Sequence, residues 1–181
     1  IERRGQIIGR VCITERPQIV ETRSRIGDWE ADTVIGRQGG AVLVTLVKRK
    51  SRFSLIIRAE NKTATAVSAA MTTAMSPHAA HVHTLTYDNG KEFAYHLKVS
   101  DELEAKGFFA HPYHSWERGL NENTNGLIRQ YLPKGKSFDD LTDQDVVDIM
   151  DRLNNRPRKC LGFRTPNEVF RKDKSHVALA S

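Results

Sequence analysis

The sequence lacks the features that define several common protein classes. It has only two cysteines, Cys12 and Cys160, in 181 residues, which excludes a disulfide-rich scaffold and a zinc site made of cysteines alone. It contains neither of the Gly-rich loops that bind nucleotide phosphates, nor the Gly-x-Ser-x-Gly turn of serine hydrolases. No apolar run approaches the roughly 18 residues of a membrane-spanning helix, and no signal-peptide pattern opens the chain. A cytoplasmic protein without a membrane partner is therefore expected.

Charge is not in large excess either, but it is unevenly distributed. Lys and Arg number 28 against 22 Asp and Glu, which gives a net charge of +6. Residues 139–151 carry −6 and residues 152–174 carry +6. The basic segment indicates an anionic partner that would be contacted near the C-terminus.

The length favours one principal domain. With 39% hydrophobic residues, the chain can bury a core. Because the first residue is Ile1 rather than Met, we expect a fragment of a longer protein. Residues 1–27 are interpreted as an N-terminal arm or linker with a short strand at Ile7–Ile13, residues 28–175 as the core, and residues 176–181 as a tail.

The first half of the core has a β-rich pattern that changes to alternating strands and helices. Three β-branched runs, separated by short polar or Gly-rich breaks, predict an antiparallel meander: Trp29–Ile35, Ala41–Val47 and Arg52–Ala59. Four elements are predicted next, two helices and two strands: helix Thr63–Met75, strand Val82–Tyr87, helix Tyr95–Lys106 capped by Gly107, and strand Phe108–His111.

Helices are predicted for the last third. The first covers Asn121–Tyr131. Thr142 and Asp145 have capping-box spacing, and the helix they start would bury Val146, Ile149, Met150 and Leu153; Thr165 and Pro166 start another, short helix. The whole pattern predicts an α/β fold with a mixed five-stranded sheet, first an antiparallel meander and then parallel strands, flanked by helices.

Three acidic residues occupy unusual positions. Asp32 interrupts a β-forming run, where Asp is depleted, although it could face solvent on an edge strand. Asp88 ends an apolar strand, although Asp-Asn-Gly also suits a tight turn. Glu122 lies in a segment dense in amides and carboxylates that leads into a helix, which could also be a polar loop with an Asn cap. Together such carboxylates suit Mg2+, and two ions can promote phosphoryl transfer.

Histidines provide a weaker indication of a metal site. His111 and His114 have the spacing His-x-x-His, and a second group contains His78, His81 and His83. Zinc sites require three or four ligands, and the second group lies in a polar turn. Neither group predicts a zinc site by itself.

Longer motifs resemble a known family. Trp29-x-x-Asp32, the meander and Tyr87–Phe93 resemble the DDE catalytic core of retroviral integrases and bacterial transposases. The blocks Pro112–Gly135 and Asn154–Gly162 are similar to the insertion-sequence-thirty family of bacterial transposases. The resemblance implies an RNase H-like fold, DNA cleavage and strand transfer.

The resemblance also implies the site residues. The family's acids fall on Asp32, Asp88 and Glu122, with 33 residues between the last two, and they would hold two Mg2+ ions, for which Mn2+ could substitute. In retroviral integrases the third carboxylate follows the glycine of this block by three residues, a position held here by Arg129. The transposase pattern therefore supports Glu122, and Glu117 is the alternative.

DNA is the partner that the resemblance implies, both as element ends and as target, with a homo-oligomer as the active state. Candidate phosphate-binding residues are Arg129, Lys134, Lys136, Arg156, Arg158 and Lys159. The family's helix-turn-helix region would precede this chain. Two alternatives remain open, an RNase H-type nuclease acting on RNA–DNA hybrids and a non-catalytic DNA-binding or oligomerisation module of a decayed element.

Overall fold

A computed structural model describes residues 7–179, excluding the side chains of residues 115 and 174–179. A five-stranded sheet has the order β3-β2-β1-β4-β5. The strands are β1 Asp28–Ile35, β2 Val42–Lys48, β3 Ser54–Ala59, β4 Thr84–Tyr87 and β5 Lys106–Phe109. The predicted α/β class and the mixed sheet are confirmed.

Strand pairing follows the predicted change of direction. β1, β2 and β3 pair antiparallel, as their short connections require, whereas β4 pairs parallel with both β1 and β5. β1 is the central strand of the sheet, so the alternative that placed Asp32 on an edge strand is wrong. The sequence could not exclude it, because the pairing of β1 with β4 joins residues more than 50 positions apart.

Six α-helices flank the sheet within the described residues: α1 Gln18–Glu21, α2 Ala64–Met75, α3 His96–Leu103, α4 Gly119–Ile128, α5 Asp143–Asn154 and α6 Pro166–Leu179. The predicted capping box of Thr142 and Asp145 is present at the start of α5. α4 begins two residues earlier and ends three residues earlier than predicted. α6 is not the short helix that was predicted, since it continues for 14 residues.

Two apolar clusters lie in the described part of the chain. One contains Trp29 and Ala31 of β1 together with residues of α2 and α3. The other contains Val34 of β1 together with Ile128 of α4 and residues of α5. Of the four residues that α5 was predicted to bury, Val146, Ile149 and Leu153 are buried, and Met150 is half-buried. Because side chains alternate along a strand, the face of β1 that bears Asp32 also bears Glu30. Helix α4 contacts β1.

The segment before β1 packs against the sheet. Val20 is fully buried, and the ring of His96 in α3 hydrogen-bonds to the Ile8 carbonyl at 2.9 Å. The predicted strand Ile7–Ile13 is wrong, since this stretch contributes a single bridge, between Cys12 and Phe109.

The end of α3 differs from the prediction. The helix ends at Leu103, and Glu104, rather than Gly107, adopts the left-handed capping conformation with φ 52°. Gly107 instead lies in β5 opposite Leu85. A Cβ there would stand 3.0 Å from the ring of Tyr87, so the close approach of that ring explains the glycine.

Among the described residues, no helix is long and apolar enough to cross a membrane.

Candidate active site

Two of the predicted acids project from neighbouring strands of the sheet. Asp32 lies on β1, and Asp88 follows the last residue of β4, the strand that pairs in parallel with β1. The side chain of Asp32 is 15% exposed and that of Asp88 is 31% exposed. The central sheet therefore presents both carboxylates at one partly buried position.

Arg118 joins the two carboxylates. Its Nη1 lies 3.6 Å from Asp32 Oδ2, and its Nη2 lies 3.6 Å from Asp88 Oδ2. These separations are too long for strong hydrogen bonds, and the buried Nε and Nη1 of Arg118 have no hydrogen-bond partner among the described residues. One cationic group thus lies between two acids that face the same point.

Asp32 is held by two further contacts. Its Oδ1 accepts a hydrogen bond from the Thr33 amide at 2.8 Å, and its Oδ2 accepts one from Asn125 Nδ2 at 2.9 Å. Burial raises the pKa of Asp32, the Asp88 charge raises it further, and the charge of Arg118 opposes both effects. Ionised Asp32 therefore favours a nearby cation.

Asp88 lies beside Asp32 and also begins the tight turn that the sequence Asp-Asn-Gly predicts. Its Oδ1 accepts the Gly90 amide at 2.7 Å. Glu92, two positions after Gly90, is buried and accepts a hydrogen bond from Thr33 Oγ1 at 2.9 Å. Lys62 Nζ lies 3.1 Å from the same Glu92 oxygen, so the charge of Glu92 is already neutralised.

Glu122 lies in the first turn of α4, and its side chain is exposed. Helix residues three or four positions apart share a face, and Asn125, three positions later, contacts Asp32. Arg129, seven positions later, donates from Nη2 to the Ile35 carbonyl of β1 at 2.7 Å. Glu122 thus stands one turn before Asn125 on α4, but no hydrogen bond or ion pair among the described residues joins it to Asp32 or Asp88. Among the described residues, its carboxylate has no hydrogen-bond or ion-pair partner.

Glu117, the alternative third acid, is engaged elsewhere. Its Oε1 lies 2.8 Å from Nδ1 of His111 and 3.4 Å from Nδ1 of His114, and its Oε2 accepts the His111 amide at 2.9 Å. The hydrogen bond to Glu117 raises the pKa of His111. The carboxylate of Glu117 is thus directed at the two histidines, while the next residue, Arg118, is directed at the two aspartates.

The candidate phosphate-binding residues begin at the end of α4. Arg129 is tied to β1, as described above, and Lys134 and Lys136 are exposed in the following loop. Arg156, just after α5, donates from Nη1 to Gln130 Oε1 at 2.9 Å. Arg156 is therefore linked to the same end of α4.

The other two candidates follow α5. Lys159 is exposed, whereas Arg158 is half-buried and donates from Nη2 to the Leu153 carbonyl at 2.9 Å. Burial lowers the pKa of Arg158. Arg158 therefore stabilises the end of α5.

Sequence reasoning missed two residues of this site. Arg118 and Asn125 were not singled out, although they stand four positions before and three positions after Glu122. That helical spacing is the signal that could have found them. His78, considered above as a metal ligand, instead packs against the rings of Trp29, Phe53 and Phe170.

Comparison with solved structures identifies the class of fold. The chain is similar to the catalytic core domain of BIV integrase, with a TM-score of 0.63, 19% sequence identity, and coverage of 83% of this chain and 97% of that one. The fold is therefore the RNase H-like fold of integrase catalytic cores. No protein-family model matches the chain.

Sequence relatives bear out the resemblance found in the motifs. The transposase for insertion sequence element IS4351 of Bacteroides fragilis is 48% identical over 180 residues, covering 98% of this chain and 55% of the relative. Transposase InsI for IS30A of Escherichia coli is 39% identical over 165 residues, covering 91% of this chain and 43% of the relative. The resemblance to the insertion-sequence-thirty family of transposases is thus confirmed. The chain spans about half the length of these relatives.

Proposed function

We propose that the chain is the catalytic core of a DNA transposase that cleaves DNA strands and joins them to a target. The observation that carries the proposal is the convergence of Asp32 and Asp88 on one cationic group, the guanidinium of Arg118, 3.6 Å from each. The names of the relatives support the reaction class, and an integrase-like fold is compatible with it.

The residues present fit a divalent metal ion. The donor set consists of carboxylate oxygens, which Mg2+ prefers, and Mn2+ suits the same ligands. Asp32 and Asp88 would hold the ions, with Glu122 completing the site from α4. When bound, a pair of such ions supplies Lewis-acid stabilisation of the attacking and leaving oxygens in phosphoryl transfer.

The chain's own contacts prepare this site. Asn125 fixes Oδ2 of Asp32, the Gly90 amide fixes Oδ1 of Asp88, and both bonds orient carboxylates without neutralising them. Arg118 balances the mutual repulsion of the two acids. Because Arg118 also lines a cavity beside Asp88, its guanidinium is suited to bind a phosphate oxygen there.

DNA would lie along the basic residues that follow α4 and α5. Lys134, Lys136 and Lys159 are exposed, so phosphates can reach them without breaking an existing contact. Arg129 and Arg156 would contribute near the end of α4. Such contacts position the duplex without reading its sequence. A homo-oligomer that holds two DNA ends and a bacterial cytoplasmic location are parts of the same proposal.

The test compares metal-dependent strand joining by the complete protein that carries this chain. Asp32→Asn, Asp88→Asn and Glu122→Gln should each abolish joining, whereas Glu102→Gln, an exposed acid on α3, should retain it. Wild-type joining by any of the three variants would remove that residue from the site. Hydrolysis of an RNA–DNA hybrid without joining would instead identify a nuclease, and absence of metal-dependent binding and cleavage would identify a non-catalytic module.

A further inference from the structure

A second group of metal-ligating side chains lies in the loop between β5 and α4. His111, His114 and Glu117 each offer one ligand atom, and these atoms all lie within 4.8 Å of one another. The sequence showed two histidines with ligand spacing, and folding adds a carboxylate three residues later. The group is the only one of its kind among the residues that the structure describes.

The distances are close to those of a zinc site. With bonds of about 2.0–2.1 Å, two ligands of a tetrahedral ion stand about 3.3 Å apart. His114 Nδ1 and Glu117 Oε1 are 3.4 Å apart, and His111 Nδ1 and Glu117 Oε1 are 2.8 Å apart. The second pair must therefore open by about half an ångström to admit an ion, a movement that a small rotation of these half-buried side chains can supply.

The ring of His111 is already oriented for binding through Nδ1. Its other nitrogen, Nε2, lies 3.4 Å from the sulfur of Cys12. Metal-binding histidines commonly donate the second ring N–H to a carboxylate, a carbonyl or water, which fixes the ring and its tautomer, and the Cys12 sulfur takes that place here. Nδ1 is thereby left facing Glu117.

The group is also accessible and appropriately charged. His111 and His114 line a cavity of about 330 Å³ that Asp88 and Arg118 also line. Among the described residues, Glu117 makes no ion pair with a lysine or arginine, so its carboxylate can be shared with a metal. An exogenous ligand in the cavity can complete the coordination.

We propose that His111, His114 and Glu117 form a binding site for one transition-metal ion of the zinc class. Two imidazoles and one carboxylate suit Zn2+ rather than Mg2+, which prefers oxygen ligands throughout. The site differs from the carboxylate pair of Asp32 and Asp88 and lies beside it. A bound ion braces the loop that carries Arg118, so it orders the entry to α4.

Isothermal titration of the metal-free 181-residue chain with Zn2+ tests the site. The expected result is one ion per chain, with affinity lowered about tenfold or more in His114→Gln and Glu117→Gln. His83 is an exposed histidine immediately before β4. His83→Gln is therefore the matched control and should bind Zn2+ as the wild type does. Circular dichroism at each variant's titration temperature establishes that it is folded.

The proposed catalytic acids provide the second control. Asp32→Asn/Asp88→Asn should retain Zn2+ binding, and Co2+ bound by this protein should give the visible absorption of a tetrahedral site. Equal affinity in wild type and Glu117→Gln, or loss of Zn2+ binding in the double variant, would overturn the proposal. Neither result depends on DNA joining, so failure here is distinguishable from failure of the proposed transposase function.

Discussion

Asn125 donates a hydrogen bond from Nδ2 to Oδ2 of Asp32 at 2.9 Å, and thereby links α4 to the central strand. Replacing Asn125 with Ala removes one of the contacts that orient the Asp32 carboxylate. A hydrogen bond to a charged group contributes about 1.5–3 kcal/mol. We therefore expect Mn2+ affinity and strand joining to fall about tenfold or more, as measured by titration and a joining assay.

The control for this variant is Asn123→Ala. Asn123 occupies the same helix two positions earlier and is exposed, so its replacement changes helix composition equally without touching Asp32. Metal affinity in Asn125→Ala equal to that of Asn123→Ala would contradict the orienting role.

Asn154 stabilises the edge of the sheet. Its Oδ1 accepts the Ser54 amide and its Nδ2 donates to the Ser54 carbonyl, both at 2.8 Å, so one side chain pairs with β3 as a neighbouring strand would. Asn154→Ala leaves two buried backbone groups without partners, at a cost of about 2–4 kcal/mol. Urea unfolding should show this loss, and Asn155→Ala, an exposed neighbour, should show much less.

His96 should make stability depend on pH. Burial lowers the pKa of its imidazole from the ordinary value of 6.5, so below that pH the unfolded chain binds a proton that the folded chain does not. Stability therefore falls as pH decreases through about 6.5 towards the lower folded-state pKa. Urea unfolding of wild type and His96→Phe between about pH 5.5 and 7.5 should show that the free energy of unfolding depends less steeply on pH in the variant.

Phe is chosen at position 96 because the ring packs edge-on against Phe109, with centroids 4.7 Å apart. His83→Gln serves as the exposed control, and its curve should parallel that of the wild type. Parallel curves for wild type and His96→Phe would show that this histidine does not contribute to the pH dependence.

Glu104 adopts a left-handed conformation at the end of α3, with φ 52°. A side chain in this region costs about 1 kcal/mol, which glycine avoids. Glu104→Gly should therefore raise the free energy of unfolding by up to about 1 kcal/mol, as measured by thermal or urea unfolding. Glu104→Ala keeps the Cβ atom and should give no such gain; an equal gain would show that the charge, rather than the backbone, was responsible.

Local patterns predicted most of the fold. The capping box at Thr142 depends on residues three positions apart, and the meander depends on runs separated by short breaks, so both could be read from the chain. The helix end at Glu104 could not be predicted, because Gly107 offered a better cap and was needed instead to accommodate the ring of Tyr87.

The candidate site was less predictable from local patterns than the fold was. The local positions of Asp32, Asp88 and Glu122 are unusual but ambiguous, and only motif resemblance selected these three among the 22 acids. The contact of Arg118 with both aspartates joins residues 30 to 86 positions apart. It depends on the pairing of β1 with β4, which no short-range pattern specifies.

Asp32 lies on β1 and Asp88 directly follows β4, the strand paired with β1, which has a consequence for changes in chain length. Their separation is built into the sheet, so an insertion between them must leave the ladder from Asp28 to Glu30 intact. Glu122 is attached through a loop and a helix, and it could accept insertions before His111 that merely lengthen the connection. In similar chains the separation of the residues at positions 32 and 88 should therefore vary little, whereas the connection before position 122 could vary in length.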